Sequence, residues 1–385
     1  MATVKEVDVV VIGAGIAGSS CAIQLASLGH HTILLDRQEF PRHKTCGEFM
    51  SPETKEMLDH LDIDLLEQSH SPSLIHSAKI YMPRGGVIQA NLPGPAYGIS
   101  RFTLDRLLHQ KAINAGAEVV TKAVVTRIDQ AQEQRYEVHI KQGRQETRYV
   151  AKAVIGAYGT KGPRHSHATK EKSSKDVYVG IKSHYKGIDL SSEVELYFCD
   201  GGYVGISPIE NGLVNVAALL SLEVVQRYGK SVLDILNGIA NTNSQLAKRL
   251  AEGASVPKTQ VSVAPIRLSE HPQPWSEYPH VGDALLVIPP LCGDGMSIAL
   301  RSAVLCSRCT DAYLRGSLSL VEWQSQYSRE AHEEFEVLLK RARRIQNMAF
   351  AKTNWIYPSV VRLFPGLGRY LVKITRLTTM MPTKN

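Results

Sequence analysis

The sequence predicts an α/β fold, α+β overall: a Rossmann-type nucleotide-binding domain with an inserted, mostly antiparallel β-sheet lobe and a helical C-terminal segment. Three observations predict it. Residues 7–36, VDVVVIGAGIAGSSCAIQLASLGHHTILLD, read as a buried-type strand, a glycine turn, a helix and a second strand in register. Residues 176–268 change to short strands separated by turns. From Ser319 onward the periodicity is helical.

The near-continuous apolar run Val7–Ile12 is the pattern of a strand covered on both faces of a parallel sheet. Gly13, Gly15 and Gly18 follow. At this spacing the first glycine allows a tight bend, the second lets the backbone approach a pyrophosphate, and the third lets the helix lie against the strand. From Ile16 to Leu28 the residues Ala17, Cys21, Leu25 and Leu28 recur at helical spacing, and Gly29 supplies the stop. The helix start directs free N–H groups and the positive dipole end at the phosphates. The strand Thr32–Leu35 ends on Asp36, 18 residues after Gly18, where the fingerprint needs an acceptor for ribose hydroxyls. A glycine turn alone can be purely structural; all five features in register point to a bound dinucleotide.

The 385 residues suffice for two domains, or for one nucleotide domain with an inserted lobe. Composition is ordinary for a globular protein, 43% hydrophobic and 21% charged. A net charge of +7 is modest, and without a recognisable module it gives no reason to expect a nucleic-acid partner. Six cysteines stand in apolar or glycine-rich surroundings, not as a disulfide framework, which predicts a reducing, cytoplasmic setting. No basic and apolar leader precedes the first strand, and no apolar run approaches the ~18 residues of a membrane span. Cys306 and Cys309 lie in C-S-R-C on a predicted helix with no second ligand pair, so core packing is expected there and no metal site.

Directly after Asp36, residues 41–52 read PRHKTCGEFMSP; residues 101–108 read RFTLDRLL; residues 281–299 read VGDALLVIPPLCGDGMSIA. The first resembles the P-R-x-K-x-C-G segment of FAD-dependent geranylgeranyl reductase-like proteins, and more loosely its counterpart in flavin-dependent halogenases and aromatic hydroxylases. These share the p-hydroxybenzoate hydroxylase type of fold. The second is similar to the family's R-x-x-L-D-x-x-L helix and the third to its G-D-A…P…G-x-G-M/I motif, all in the family's order. The resemblance implies bound FAD, with Arg101 near it, Asp283 at the ribityl-phosphate region, Gly293 and Gly295 beside the isoalloxazine, and Met296 among the cofactor-binding residues. Gly13, Ala14, Gly15, Gly18, Asp36, Arg37, Cys46, Gly47 and Val125 complete the expected cofactor-binding set. It also implies a discontinuous FAD-binding domain (residues 1–75, 99–172 and 270–315), a substrate-binding β-sheet lobe (76–98 and 173–269) and C-terminal helices (316–385).

The residues support that reading by their own chemistry. After Asp283 comes a short apolar run; Pro289 and Pro290 then force an extended turn. Gly293 and Gly295 allow close backbone approach before an Ala/Ser-rich helix from Met296 to about Cys309. Such a helix start offers donors to the pyrimidine edge of a reduced flavin, the plain alternative being a glycine turn before a packed helix. Arg37, Arg42, His43 and Lys44 crowd positive charge beside the proposed phosphate site, in a loop that elsewhere would read as a solvated basic face.

Departures from the family pattern narrow the chemistry. Tyr158 in residues 156–166, GAYGTKGPRHS, replaces the aspartate of the Asp-Gly motif in many hydroxylases, which puts direct NAD(P)H use in question. No second G-x-G-x-x-G is present, so the electron donor is expected to be transiently bound NAD(P)H or a partner reductase. Residues 202–208, GYVGISP, lack the halogenase tryptophans, and Gly205 stands where reductases of this type carry a tryptophan, implying a roomier pocket. Cys46 and Cys292 are the candidates for catalysis, by reversible pairing or by shielding the flavin, with packing as the ordinary alternative. His184, Tyr185, Tyr197 and Tyr203 are candidate acids or bases from the strand lobe.

The leading expectation is an FAD-dependent monooxygenase acting on a hydrophobic small molecule, whether polyketide, aromatic or isoprenoid-like. A reductase saturating isoprenoid double bonds is the alternative, and a non-catalytic flavin-bearing sensor or binding protein is the reading from another class. At the C-terminus Arg362, Arg369, Lys373 and Arg376 share one helical face, with Leu363, Leu367, Leu371, Ile374 and Leu377 largely on another. This helix either lies on an anionic membrane surface or packs its leucines on the protein; packing is the favoured reading.

Overall fold

In the computed structural model, the described residues are 3–67, 70–83, 85–131, 134–162, 177–351, 356–363 and 377. The strand Thr3–Ile12 pairs in parallel with Thr32–Leu35 on one side and with Gln145–Gly156 on the other. Glu118–Val120 extends the parallel edge, and Tyr136–Gln142 and Val124–Gln130 add antiparallel strands at the far side, giving six. Val9 and Val11 pack into the core formed with the helices Ile16–Ser27, Arg101–Asn114 and Gly295–Leu314; Val10 and Ile12 pack on the other face with Ile33, Leu35, Tyr136 and Tyr149. Both faces are covered, which is why the strand reads as an unbroken apolar run.

The second sheet has nine strands, ordered Ala254–Ser255, Tyr178–Lys186, Leu213–Ser221, Gly202–Pro208, Glu193–Cys199, Ser73–Tyr81, Val87–Gly98 and Phe49–Met50, with Val261–Ile266 also on Tyr178–Lys186. All its pairings are antiparallel except Glu193–Cys199 with Ser73–Tyr81. One face is covered by three short helices, Leu222–Tyr228, Val232–Ala240 and Ser244–Ala251. The sequence predicts only one helix here, from Ser231. Elements of 7 and 8 residues are too short for periodicity to reveal; packing against the sheet and the caps Ser221 and Asn243 stabilise them.

The 30-residue helix Leu320–Ala349 begins with a capping box, Ser319 with Glu322. It buries Trp323, Tyr327, Ala331, Phe335, Leu338 and Ala342 at helical spacing in the first core. Its end and the helix Tyr357–Leu363 cross over the second sheet, where Ala349, Phe350, Tyr357 and Val361 pack with Phe198 and Tyr203. Of the basic amphipathic segment, Arg369, Lys373 and Arg376 fall outside the described residues, while Leu377 is buried in the first core. Among the described residues no helix is long and apolar enough to cross a membrane.

Candidate active site

The glycine turn is built as its spacing requires. Gly13 has φ +107°, and a Cβ there would meet the backbone of Ala157 and Tyr158, the latter's Cα at 2.9 Å. A Cβ on Gly18 would overlap the Gly13 carbonyl oxygen and stand 2.9 Å from the Ala157 Cβ, so this glycine lets helix and strand touch. Gly15 differs: the nearest atoms to its Cβ position are the Arg101 guanidinium at 3.8 Å and the Lys44 ammonium at 3.9 Å. It faces an open cavity between two cations. Ala14 and Gly18 do not line that cavity; they shape the turn behind it.

Asp36 lines the cavity but is already held by the backbone. Its Oδ2 accepts from the Ala14 N–H at 2.9 Å and its Oδ1 from the Gln38 N–H at 2.8 Å, with the Arg42 guanidinium 3.8 Å away. Each carboxylate oxygen retains acceptor capacity for a ribose hydroxyl.

The helix Arg101–Asn114 is capped by Ser100, which accepts from the Thr103 N–H at 3.1 Å and is itself anchored by Glu210. Arg101 is buried and bidentate to Asp105, at 2.8 and 3.0 Å. Burial disfavours its charge, but Asp105, Cys46 and Asp283 together outweigh burial and keep the guanidinium firmly protonated. Burial pushes Lys44 below the usual lysine range, with Arg101 adding repulsion. Two cations, Arg101 held by Asp105 and the desolvated Lys44, stand beside a glycine turn and a helix N-terminus, which suits a diphosphate. Asp283 sits exposed to the cavity on the turn Gly282–Ala284. Gly293 has φ +75°, and Gly295 opens the 20-residue helix Gly295–Leu314 with no atom within 4 Å of its Cβ position. Two helix starts therefore meet one cavity, an arrangement that fits a flavin dinucleotide.

The cavity measures about 1550 Å³. A single drug-sized ligand takes a pocket of roughly 300–1,000 Å³, so there is room for a cofactor and a second ligand. Gly13, Gly15, Asp36, Arg37, Cys46, Gly47, Arg101, Val125, Asp283, Cys292, Gly293, Gly295 and Met296 all line it. A second arm runs across the inner face of the nine-stranded sheet, where Ile88, Ile80, Leu196, Gly205 and Ala217 form one row in register. Phe198, Tyr203 and Leu219 form the next row, and Met348, Ile356 and Tyr357 lie opposite. The Gly205 Cβ position is 3.3 Å from Leu196 Cδ2, and the absence of a side chain there widens this arm.

Three of the four candidate acids or bases are not at the cavity. His184 lies on the cavity side of its sheet but is covered by Glu48, whose carboxylate bonds its Nε2 at 2.6 Å. Tyr185 points to the opposite core. Tyr197 donates to Glu195 at 2.6 Å and stacks on Tyr81, a network completed by Arg249. Only Tyr203 of the four lines the cavity, and burial pushes its hydroxyl pKa well up. Tyr158 also lines the cavity, its hydroxyl 2.9 Å from His280 Nε2, a pairing over 122 positions that no local signal announces. Cys46 is half-buried and accepts from the Glu48 N–H at 3.4 Å; no disulfide occurs among the described residues. Cys306 and Cys309 pack in the first core, burial raising the Cys309 thiol to about 11.

Fold and site define a flavoprotein oxidoreductase built around one large cavity. The chain belongs to the FAD binding domain family, which matches residues 6–222, and it is an FAD-dependent oxidoreductase. It is similar to digeranylgeranylglycerophospholipid reductase 2 of Methanopyrus kandleri, 27% identical over 367 residues, covering 91% of this chain and 89% of the relative. It is also similar to menaquinone reductase of Mycobacterium tuberculosis, 25% identical over 330 residues, with 81% and 78% covered. Among solved structures, the flavin-dependent brominase Bmp2 superposes with a TM-score of 0.78 at 18% identity, covering 96% of this chain and 93% of that one. A geranylgeranyl bacteriochlorophyll reductase-like protein from Thermoplasma acidophilum gives 0.69 at 21% identity, with 98% and 93% covered. These two share the fold.

Proposed function

We propose that this FAD-dependent oxidoreductase reduces carbon–carbon double bonds of an isoprenoid-like lipid. The observation that carries the reading is the apolar arm continuous with the cofactor end of the cavity, lined by Ile80, Ile88, Leu196, Phe198 and Leu219 and widened at Gly205. Similarity over most of the chain to proteins named as reductases supports placing reduction ahead of oxygen insertion, the reverse of the order favoured by the sequence.

Reduced FAD supplies two electrons, and with two protons a C=C bond becomes CH–CH; the donor that re-reduces it is NAD(P)H or a partner reductase. The chain's own residues bind and orient. Lys44, Arg101 and the backbone at Gly15 receive the diphosphate charge, Asp36 the ribose hydroxyls, and the apolar arm aligns the chain and excludes water. Tyr203, whose hydroxyl pKa burial raises further above the usual tyrosine range, holds its proton in that arm. Dithionite-reduced holoprotein incubated anaerobically with a geranylgeranyl ether lipid should give product heavier by two hydrogens per double bond. Product formed only in air and carrying an oxygen atom would overturn the reading in favour of monooxygenation. Contact of the basic C-terminal residues with an anionic membrane belongs to the same proposal. Flotation with anionic vesicles that is insensitive to salt, or unchanged after deletion of residues 366–385, would remove that part.

A further inference from the structure

We propose that the buried trio Glu48, Lys182 and His184 is a positioning device that fixes the Pro41–Gly47 loop, and with it Lys44 and Cys46, between the cofactor and substrate ends of the cavity. The proposal rests on FAD occupying the cavity and is independent of which substrate is reduced.

The three side chains are at most 4% exposed. Glu48 Oε1 accepts from Lys182 Nζ; Glu48 Oε2 and His184 Nε2 are 2.6 Å apart; Lys182 Nζ is 2.9 Å from the same ring nitrogen. Burying such groups is expensive, and apolar residues of similar volume would often serve stability equally well, so stability alone does not account for them. What the carboxylate adds is connection. Glu48 Oε1 also accepts from the Arg101 N–H at 2.9 Å, the first residue of the helix whose guanidinium stands beside Gly15. The Glu48 carbonyl accepts from the Ile99 N–H at 3.2 Å. One residue thus joins the loop, the start of a cofactor-side helix and the strand Tyr178–Lys186 of the substrate sheet.

The backbone is built for this function. Glu48 has φ +54°, a left-handed conformation that a non-glycine residue adopts at a cost and keeps only where its surroundings fix it. Gly47 precedes it with no atom within 4 Å of its Cβ position, leaving the loop free to swing if the anchor is lost. A second tether, Asn215 Nδ2 to the Cys46 carbonyl at 2.9 Å, comes from the same sheet, and the His43 ring stands edge-on to His184 at 5.1 Å. Burial raises the Glu48 pKa, but His184 and Lys182 outweigh it and hold the carboxyl below its usual range, so the anchor is an anion.

The test is the holoprotein of E48Q/K182M, which removes both charges with little change of volume. Flavin release on dilution, followed by fluorescence, and carbamidomethylation of Cys46, followed by peptide mass spectrometry, should each accelerate about tenfold or more, the scale of losing one charge-assisted hydrogen bond. Wild-type rates for both in a variant whose only change is a lower Tm would overturn the proposal and leave the trio as a stabilising cluster. His184→Leu, which keeps Glu48 and Lys182 paired, reads the same device should the double variant not fold. Its Cys46 labelling should rise and return toward wild type in His184→Gln, whose amide N–H replaces the ring donor; unchanged labelling in His184→Leu would also overturn it.

Discussion

Gly15→Val separates the cofactor role of the glycine turn from its structural role. Gly15 has φ −76° and ψ −172°, an extended conformation open to any residue, and its Cβ position lies 3.8 Å from Arg101 and 3.9 Å from Lys44. Valine therefore introduces no backbone strain and its Cβ no overlap with the protein, and the apoprotein should fold with a Tm close to wild type. Its methyl groups instead occupy the space between the turn and the two cations. Displacing a diphosphate from two charge-assisted hydrogen bonds costs about 3–6 kcal/mol at roughly 1.5–3 kcal/mol each, a factor of at least ~100 in affinity. Flavin content from the visible absorbance of purified protein, and FAD titration of apoprotein by fluorescence quenching, read this directly. Gly18→Val is the contrast, because a Cβ there overlaps the Gly13 carbonyl oxygen. It should destabilise the apoprotein itself by overpacking, about 1–3 kcal/mol or more, and so lower its Tm. Full flavin content in folded Gly15→Val, or an unaltered Tm in Gly18→Val, would refute the assignment of the turn.

Asp36→Asn keeps one acceptor, toward the Ala14 N–H, but gives up the acceptor for the Gln38 N–H and the charge toward ribose hydroxyls, so FAD affinity should fall roughly ten- to a hundred-fold; isothermal titration checks it. Gly205→Phe places a ring in the apolar arm: flavin content should be unchanged, and the KM for a long isoprenoid lipid should rise while a short-chain analogue is still reduced. Acid should destabilise the apoprotein in two stages, seen as Tm against pH. His43, His109 and His280 are held neutral by burial, so the stability they permit is present above their unfolded value of 6.5 and is lost as pH falls through their lower folded values. Glu48, depressed by His184 and Lys182 against the opposing effect of burial, contributes stability present above 4.5 that is lost as pH falls through its folded value; that second loss should be smaller in E48Q/K182M, where Asp8, Glu322 and Glu336 still contribute.

The nucleotide-binding half was legible because its signals are local. Strand, turn, helix and second strand between Thr3 and Leu35 follow from side-chain period, three glycines and one terminal acid, all within one short stretch. The motifs around Cys46, Arg101 and Asp283 likewise named residues that prove to line a single cavity. Tertiary structure alone decided which face of the second sheet meets that cavity. Tyr178–Lys186 is buried along all but its last residue, because helices cover one face and the loop and C-terminal helices cover the other, and a strand buried on both faces carries no alternation to read. The same limit turned His184 from a candidate acid into the partner of Glu48, 136 positions away, and hid Lys182 altogether. Local pattern dictates secondary structure and turn chemistry; ion pairs closed across a hundred residues depend on how two sheets are brought together, and that is settled by the sum of burial over the whole chain.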